Sequence, residues 1–311
     1  MIFTLAGAAM SVAVASLAFR HWRARSFERA CLSRRPLGPD GIIVGAQAFE
    51  IHAPAGGRAV LLVHGGGDTP QTLRYLGDAL YARGYAVRAP LLPGHGRTLR
   101  HFAEVTADAW LDAVRSEYRA LRARYPWVGV IGLSMGGALA VQLAAEIGDE
   151  LPVLGLVAPY LCVPARVRRA ARLAPAWGLL TPYLRSTDAR SIHDPVEEAK
   201  SLAYGIFTAP ALRALVSTAD RAFALLPRVT APTLVVQSRE DNRITPEACE
   251  RSFRALGARE KRLVWVEGAG HIITVDRGRE RVLESLAEWL DLHRVEGGGS
   301  RVEDERKRAG V

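Results

Sequence analysis

The sequence predicts an α/β fold, a mostly parallel central sheet flanked by helices with a helical lid inserted over one end. Three observations predict it. Short apolar, β-branched runs alternate with helical patterns of about 10 to 20 residues, as right-handed βαβ units do. The alternation lapses over residues 160–230, where proline-broken helical patterns occur and no strand is evident, and it resumes at residue 233. Finally, an apolar run over 128–133 enters Gly132-Leu133-Ser134-Met135-Gly136, a sharp strand-to-helix turn with a glycine two places either side of a serine.

Composition narrows the class. With 311 residues, 49% hydrophobic and 23% charged, the chain can bury a full α/β core. Its net charge of +9 is concentrated in two places, Arg20, Arg23, Arg25, Arg29, Arg34 and Arg35, then Arg166, Arg168, Arg169, Arg172 and Arg185. No helix-turn-helix, zinc-finger or RNA-binding pattern accompanies this charge, so a membrane surface is the expected partner and nucleic acid is not. The three cysteines, Cys31, Cys162 and Cys249, are odd in number and scattered, which fits neither a disulfide framework nor a zinc site. They read as small core or surface residues.

Taken in order, residues 2–19 form an uncharged apolar stretch followed at once by arginines. A cleaved signal peptide lacks its usual positive n-region here, and a buried core helix would need an amphipathic face. A membrane anchor is the preferred reading, with the positive-inside rule leaving the following domain cytoplasmic; a soluble or exported protein follows if the segment is a signal peptide. A basic linker is expected over 20–40. The core is expected over 41–159 and 231–293, the lid over 160–230, and a disordered Gly/Ser-rich and charged tail over 294–311.

Within the core, strands are expected over 41–51, 58–63, 85–89, 128–133, 152–158, 233–237 and 262–267. Helices are expected over 69–83 (Leu73, Leu76 and Leu80 on one face), 106–125 (Trp110, Val114, Tyr118 and Leu121), 138–145, from 246, and over 277–293. The lid carries helical patterns near 165–180, 195–204 and 210–225.

Serine needs a base and an orienting acid before it becomes a nucleophile. Of the eight histidines, His271 stands in Glu267-Gly268-Ala269-Gly270-His271, directly after the last expected strand, where an imidazole reaches over the carboxyl end of a parallel sheet. Asp241 follows the preceding strand in Gln237-Ser238-Arg239-Glu240-Asp241; Glu240 is its nearest competitor, and Asp241 is preferred because Ile244-Thr245-Pro246 then opens the next helix. Ser134, Asp241 and His271 are therefore the candidate catalytic residues. Acyl transfer also requires an oxyanion hole. Its expected donors are the N–H of Met135 and, from His64-Gly65-Gly66-Gly67, the N–H of Gly66. His64 and His95 read as structural.

These landmarks, with Leu61-Leu62-Val63-His64-Gly65, Pro93-Gly94-His95-Gly96 and Gly270-His271-Ile272-Ile273-Thr274-Val275-Asp276, resemble the α/β-hydrolase superfamily over about residues 58–292. The resemblance is narrower to bacterial carboxylesterases and monoacylglycerol lipases. It implies serine-dependent hydrolysis of carboxylic esters, short-to-medium acyl or monoacylglycerol-type lipid esters, with no cofactor and no metal. It also implies a more open acyl-side wall at Gly66, where relatives often carry a bulkier residue. An acyltransferase, thioesterase or peptidase could use the same three side chains, and a catalytically silent binding module is the non-enzyme alternative. Leu173, Trp177, Leu179, Leu180, Tyr183 and Leu184 offer apolar surface suited either to an acyl chain or to ordinary lid packing, and no individual substrate-binding residue is legible.

Overall fold

In the computed structural model, residues 2–53, 57–185 and 191–294 are described, without the side chains of residues 2–9, 12, 13 and 180. The strands are β1 (Phe49–Ile51), β2 (Arg58–Val63), β3 (Tyr85–Ala89), β4 (Trp127–Leu133), β5 (Leu154–Val157), β6 (Tyr183–Arg185), β7 (Ile206–Thr208), β8 (Thr233–Ser238) and β9 (Lys261–Val266). Seven of them form one sheet in the order β1-β3-β2-β4-β5-β8-β9, parallel throughout except for β1, which pairs antiparallel with β3. The helices are α1 (Ile2–Arg34), α2 (Arg74–Ala82), α3 (Leu99–Ala103), α4 (Ala107–Arg122), α5 (Met135–Ile147), α6 (Ala165–Arg172), α7 (Ala174–Leu180), α8 (Pro195–Lys200), α9 (Ala209–Leu225), α10 (Pro246–Ala255) and α11 (Arg279–Leu292).

Every residue of β4, β5 and β8 is buried, which is why those runs read as continuously apolar rather than alternating. Their side chains still point alternately to two faces. Leu61, Val63, Val128 and Val130 pack with α4, α5 and α9, whereas Val60, Leu62, Ile131 and Leu133 pack with α2 and α11. The helices following β2 and β4 thus leave on opposite faces, and a crevice opens between the carboxyl ends of those two strands. The Gly65–Gly67 loop and Ser134 lie at that crevice.

Three expectations are corrected. The linker expected over 20–40 is helical up to Arg34, because residues 20–34 contain no glycine or proline and are rich in good helix formers. This half of α1 is docked: Glu28 accepts the Leu99 N–H at 3.0 Å, Phe27 meets Tyr183 edge-on at 5.7 Å between centroids, and Cys31 is buried. The strand expected over 41–51 is reduced to Phe49–Ile51, since Gly41 and Gly45 turn the chain at φ 69° and 89°. The segment 160–230 contains a two-stranded antiparallel sheet of β6 and β7 besides its helices. Strands of three residues are too short to show a period of two.

Among the residues whose side chains are described, no helix is long and apolar enough to cross a membrane, and most of the 2–19 segment falls outside them. The tail expected over 294–311 lies outside the described residues from 295 onward.

Candidate active site

β4 delivers Ser134 into a backbone conformation of φ 54°, ψ −115°, which L-residues rarely adopt. Two glycines make it possible. A Cβ on Gly132 would run into the backbone of Gly136, and one on Gly136 would run into the carbonyls of Val63 and His64. Met135 is the first residue of α5, so its N–H has no partner within the helix and faces the serine end.

The loop between β9 and α11 brings His271 to the same point. Its Nε2 lies 2.8 Å from Ser134 Oγ, and its Nδ1 lies 2.8 Å from Asp241 Oδ2. All three side chains are buried. The second Asp241 oxygen accepts the N–H groups of Arg243 at 2.7 Å and Ile244 at 3.1 Å, while Gln237 Nε2 donates to Oδ2 at 2.7 Å. Burial alone would raise this carboxyl, but His271, the Arg243 N–H and Gln237 outweigh it and hold the pKa below the ordinary carboxylate value. Glu240 is turned away and accepts the Gly268 N–H at 2.9 Å.

The glycine loop lies flat against the elbow. A Cβ on Gly65 would stand 3.4 Å from Ser134 Cβ, and one on Gly66 would stand 3.2 Å from Met135 Sδ. The loop is held by two histidines. Leu92 N–H donates to His64 Nε2 and Gly67 N–H donates to His95 Nε2, each at 3.0 Å. Each ring must then carry its proton on Nδ1, which donates to Gly65 O and Pro93 O respectively. Burial keeps both imidazoles neutral: it drives His64 well below its ordinary pKa, and His95 down to about 4.

Sequence reasoning missed three supporting residues. Gln237 braces Asp241. Asp276 accepts the N–H groups of Gly270, His193 and Asp194 at 2.6, 2.8 and 2.8 Å, tying the His271 loop to the inserted segment. Tyr204 donates its N–H to Gly67 O at 2.9 Å, tying the glycine loop to the same segment. Asp276 stood in a motif already singled out; Tyr204 carried no sequence signal.

Ser134, His271 and the three loop glycines open into a cavity of about 950 Å³. The inserted segment supplies its apolar wall through Leu184, Ile206, Phe207, Leu212 and Leu215. Its basic residues are divided: Arg168 is held by Asp220 through two 2.7 Å bonds, whereas Arg166 and Arg185 line the cavity. Among the described residues, no cluster of His, Cys, Asp or Glu is placed to hold a metal ion. The three cysteines are free and buried.

A hydroxyl, an imidazole and a carboxylate in this relay are equipped for acyl transfer. Residues 56–278 match the family described as serine aminopeptidase, S33. The chain belongs to that family. It is 30% identical to a thermostable monoacylglycerol lipase of a Bacillus species over 252 residues, covering 81% of this chain and 97% of the relative. It is 28% identical to a carboxylesterase of Bacillus subtilis over 238 residues, covering 76% and 93%. Among solved structures, a metagenome-derived lipolytic enzyme superposes with a TM-score of 0.72 at 30% identity, covering 80% of this chain and 99% of that one. The fold is that of the α/β-hydrolases, with the mostly parallel seven-stranded sheet described above.

Proposed function

We propose that the protein hydrolyses carboxylic esters through an acyl-enzyme on Ser134, with His271 as base and acid and Asp241 as the orienting carboxylate. The observation that carries this reading is His271 standing 2.8 Å from both Ser134 Oγ and Asp241 Oδ2 in the wall of one cavity. Ser134 Oγ attacks the ester carbonyl as its proton passes to His271 Nε2. Asp241 holds the Nδ1–H tautomer and stabilises the imidazolium. The N–H groups of Gly66 and Met135 receive the oxyanion. Collapse expels the alcohol, protonated by His271. Water, deprotonated by His271, then attacks the acyl carbon and restores Ser134.

The apolar wall from the inserted segment suits an acyl chain, and we assign that segment the role of lid and short-to-medium acyl or monoacylglycerol-type esters as substrates. The Bacillus monoacylglycerol lipase and carboxylesterase relatives support this class. The aminopeptidase in the family's description is less well served. A free α-ammonium would have to enter past Arg34, Arg35, Arg166, Arg185, Lys200 and Arg243, with Asp68 and Glu198 the acidic side chains among the described lining.

Membrane association through residues 2–19 belongs to the same proposal. It is supported by the exposed Met10, Val14, Leu17 and Phe19, followed by Arg20, Arg23 and Arg25, which suit a cytoplasmic, anionic leaflet. The test is a substrate profile of the purified full chain over acyl length, including monoacylglycerols and aminoacyl p-nitroanilides. Ester turnover with no anilide turnover is expected; the reverse would overturn the reading. Flotation with phosphatidylglycerol vesicles, compared between the full chain and a chain lacking residues 2–19, tests the membrane part; equal flotation contradicts it.

A further inference from the structure

The docked half of α1 does more than connect an apolar segment to the core. Its last turn ends at Arg34, and Arg34 and Arg35 both line the cavity that contains Ser134 and His271. Arg185 lines the same cavity from β6, and its guanidinium lies over the ring of Phe27, a residue of α1, at 5.2 Å. Three guanidinium groups, two from the end of α1 and the residue after it and one from β6, therefore line one cavity. The nearest α1 carboxylate, Glu28, is engaged by the Leu99 N–H at 3.0 Å and the Tyr183 hydroxyl at 3.5 Å. Arg35 Nε is buried with no hydrogen-bond partner among the described residues. Lys200, which faces the cavity from α8, is instead matched by Glu197 at 2.8 Å.

Arg34 and Arg185 are exposed and Arg35 is half-buried, so these charges stand at an accessible part of the cavity lining, and a neutral acyl glycerol offers none of them a charged partner. A phosphate or carboxylate offers what guanidinium groups bind best, paired oxygens that accept two parallel N–H bonds each. We propose that Arg34, Arg35 and Arg185 form an anion subsite, and that the preferred substrates are esters bearing a phosphate or carboxylate besides the scissile ester. This rests on the ester-hydrolase reading above and narrows it.

The test uses the full chain and two matched substrate pairs. One pair is 1-decanoylglycerol against 1-decanoylglycerol 3-phosphate; the other is p-nitrophenyl butyrate against the p-nitrophenyl monoester of glutaric acid. The expected result is a kcat/KM higher for the anionic member of at least one pair by about tenfold or more, declining as NaCl is raised. Whichever pair shows it identifies the oxyacid. In the Arg34→Gln/Arg35→Gln variant that selectivity falls towards one, and in Arg34→Lys/Arg35→Lys it is partly recovered, which separates lost charge from lost folding. Equal turnover of both members in both pairs, or selectivity unchanged in the glutamine variant, would overturn the inference. Failure to hydrolyse any of the four esters would instead overturn the ester-hydrolase reading beneath it.

Discussion

His64 and His95 cross-link each other's segments: His64 Nε2 accepts the Leu92 N–H and His95 Nε2 the Gly67 N–H, each at 3.0 Å, and their ring centroids stand 4.9 Å apart. The pair joins the glycine loop that follows β2 to the Pro93-Gly94-His95-Gly96 turn. Neither ring can take a second proton without losing its acceptor.

That constraint sets the acid limit. Burial lowers both pKa values, so between the ordinary value of 6.5 and the folded value the unfolded chain binds more protons than the folded one. Their stabilising contribution is complete above pH 6.5 and is lost as pH falls; for His95, with a folded value of about 4, the loss is about 3 kcal/mol. Asp68 acts in the opposite sense. Burial raises its carboxyl from 3.8 to about 6, so it favours the folded state increasingly as pH drops through that range. Urea midpoints measured from pH 7.5 to 4 should therefore fall less steeply in the wild type than in Asp68→Asn. His95→Ala should lower stability at pH 7.5 by about 2 to 4 kcal/mol, since the Gly67 N–H is left buried and unpaired.

Asp276 is the hinge between chemistry and the inserted segment. Besides Gly270, His193 and Asp194 it accepts the Arg277 N–H at 2.8 Å, so one buried carboxylate satisfies four backbone donors. Asp276→Ala should cost about 3 kcal/mol in a thermal or urea melt, with kcat falling along with it as the His271 loop loosens. Asp276→Asn, which keeps an acceptor oxygen, should lose less of both.

Asp241 and Glu240 are neighbours with different surroundings, and their variants should separate cleanly. Asp241→Asn is expected to reduce kcat about 10³- to 10⁴-fold, because the amide no longer selects the Nδ1–H tautomer of His271. Glu240→Gln loses only the charge that faces the Gly268 N–H and should change kcat by less than about threefold. Steady-state hydrolysis of p-nitrophenyl butyrate reads both.

Much of this was legible in the sequence, and the reason is physical. Gly132, Ser134 and Gly136 announce the elbow because no other residue type fits the flanking positions, and Asp241 and His271 follow strands whose buried, β-branched runs can be recognised alone. What was not legible depends on contacts between distant segments. The docking of the helix over residues 20–34, through Glu28 on Leu99 and Phe27 on Tyr183, has no local signature even though its helical composition does, and the β6–β7 pair joins three-residue strands about twenty positions apart. Tyr204 carries no local pattern either, since its N–H bond to Gly67 is decided by how the inserted segment lies.

The most direct test of the central claim is the hydrolysis of p-nitrophenyl butyrate by purified Ser134→Ala, run beside labelling of both proteins with a fluorophosphonate probe. The wild type should turn over the ester and take up the probe stoichiometrically at Ser134, while the variant, folded by its circular dichroism, should do neither. Undiminished turnover or labelling in Ser134→Ala would contradict the account.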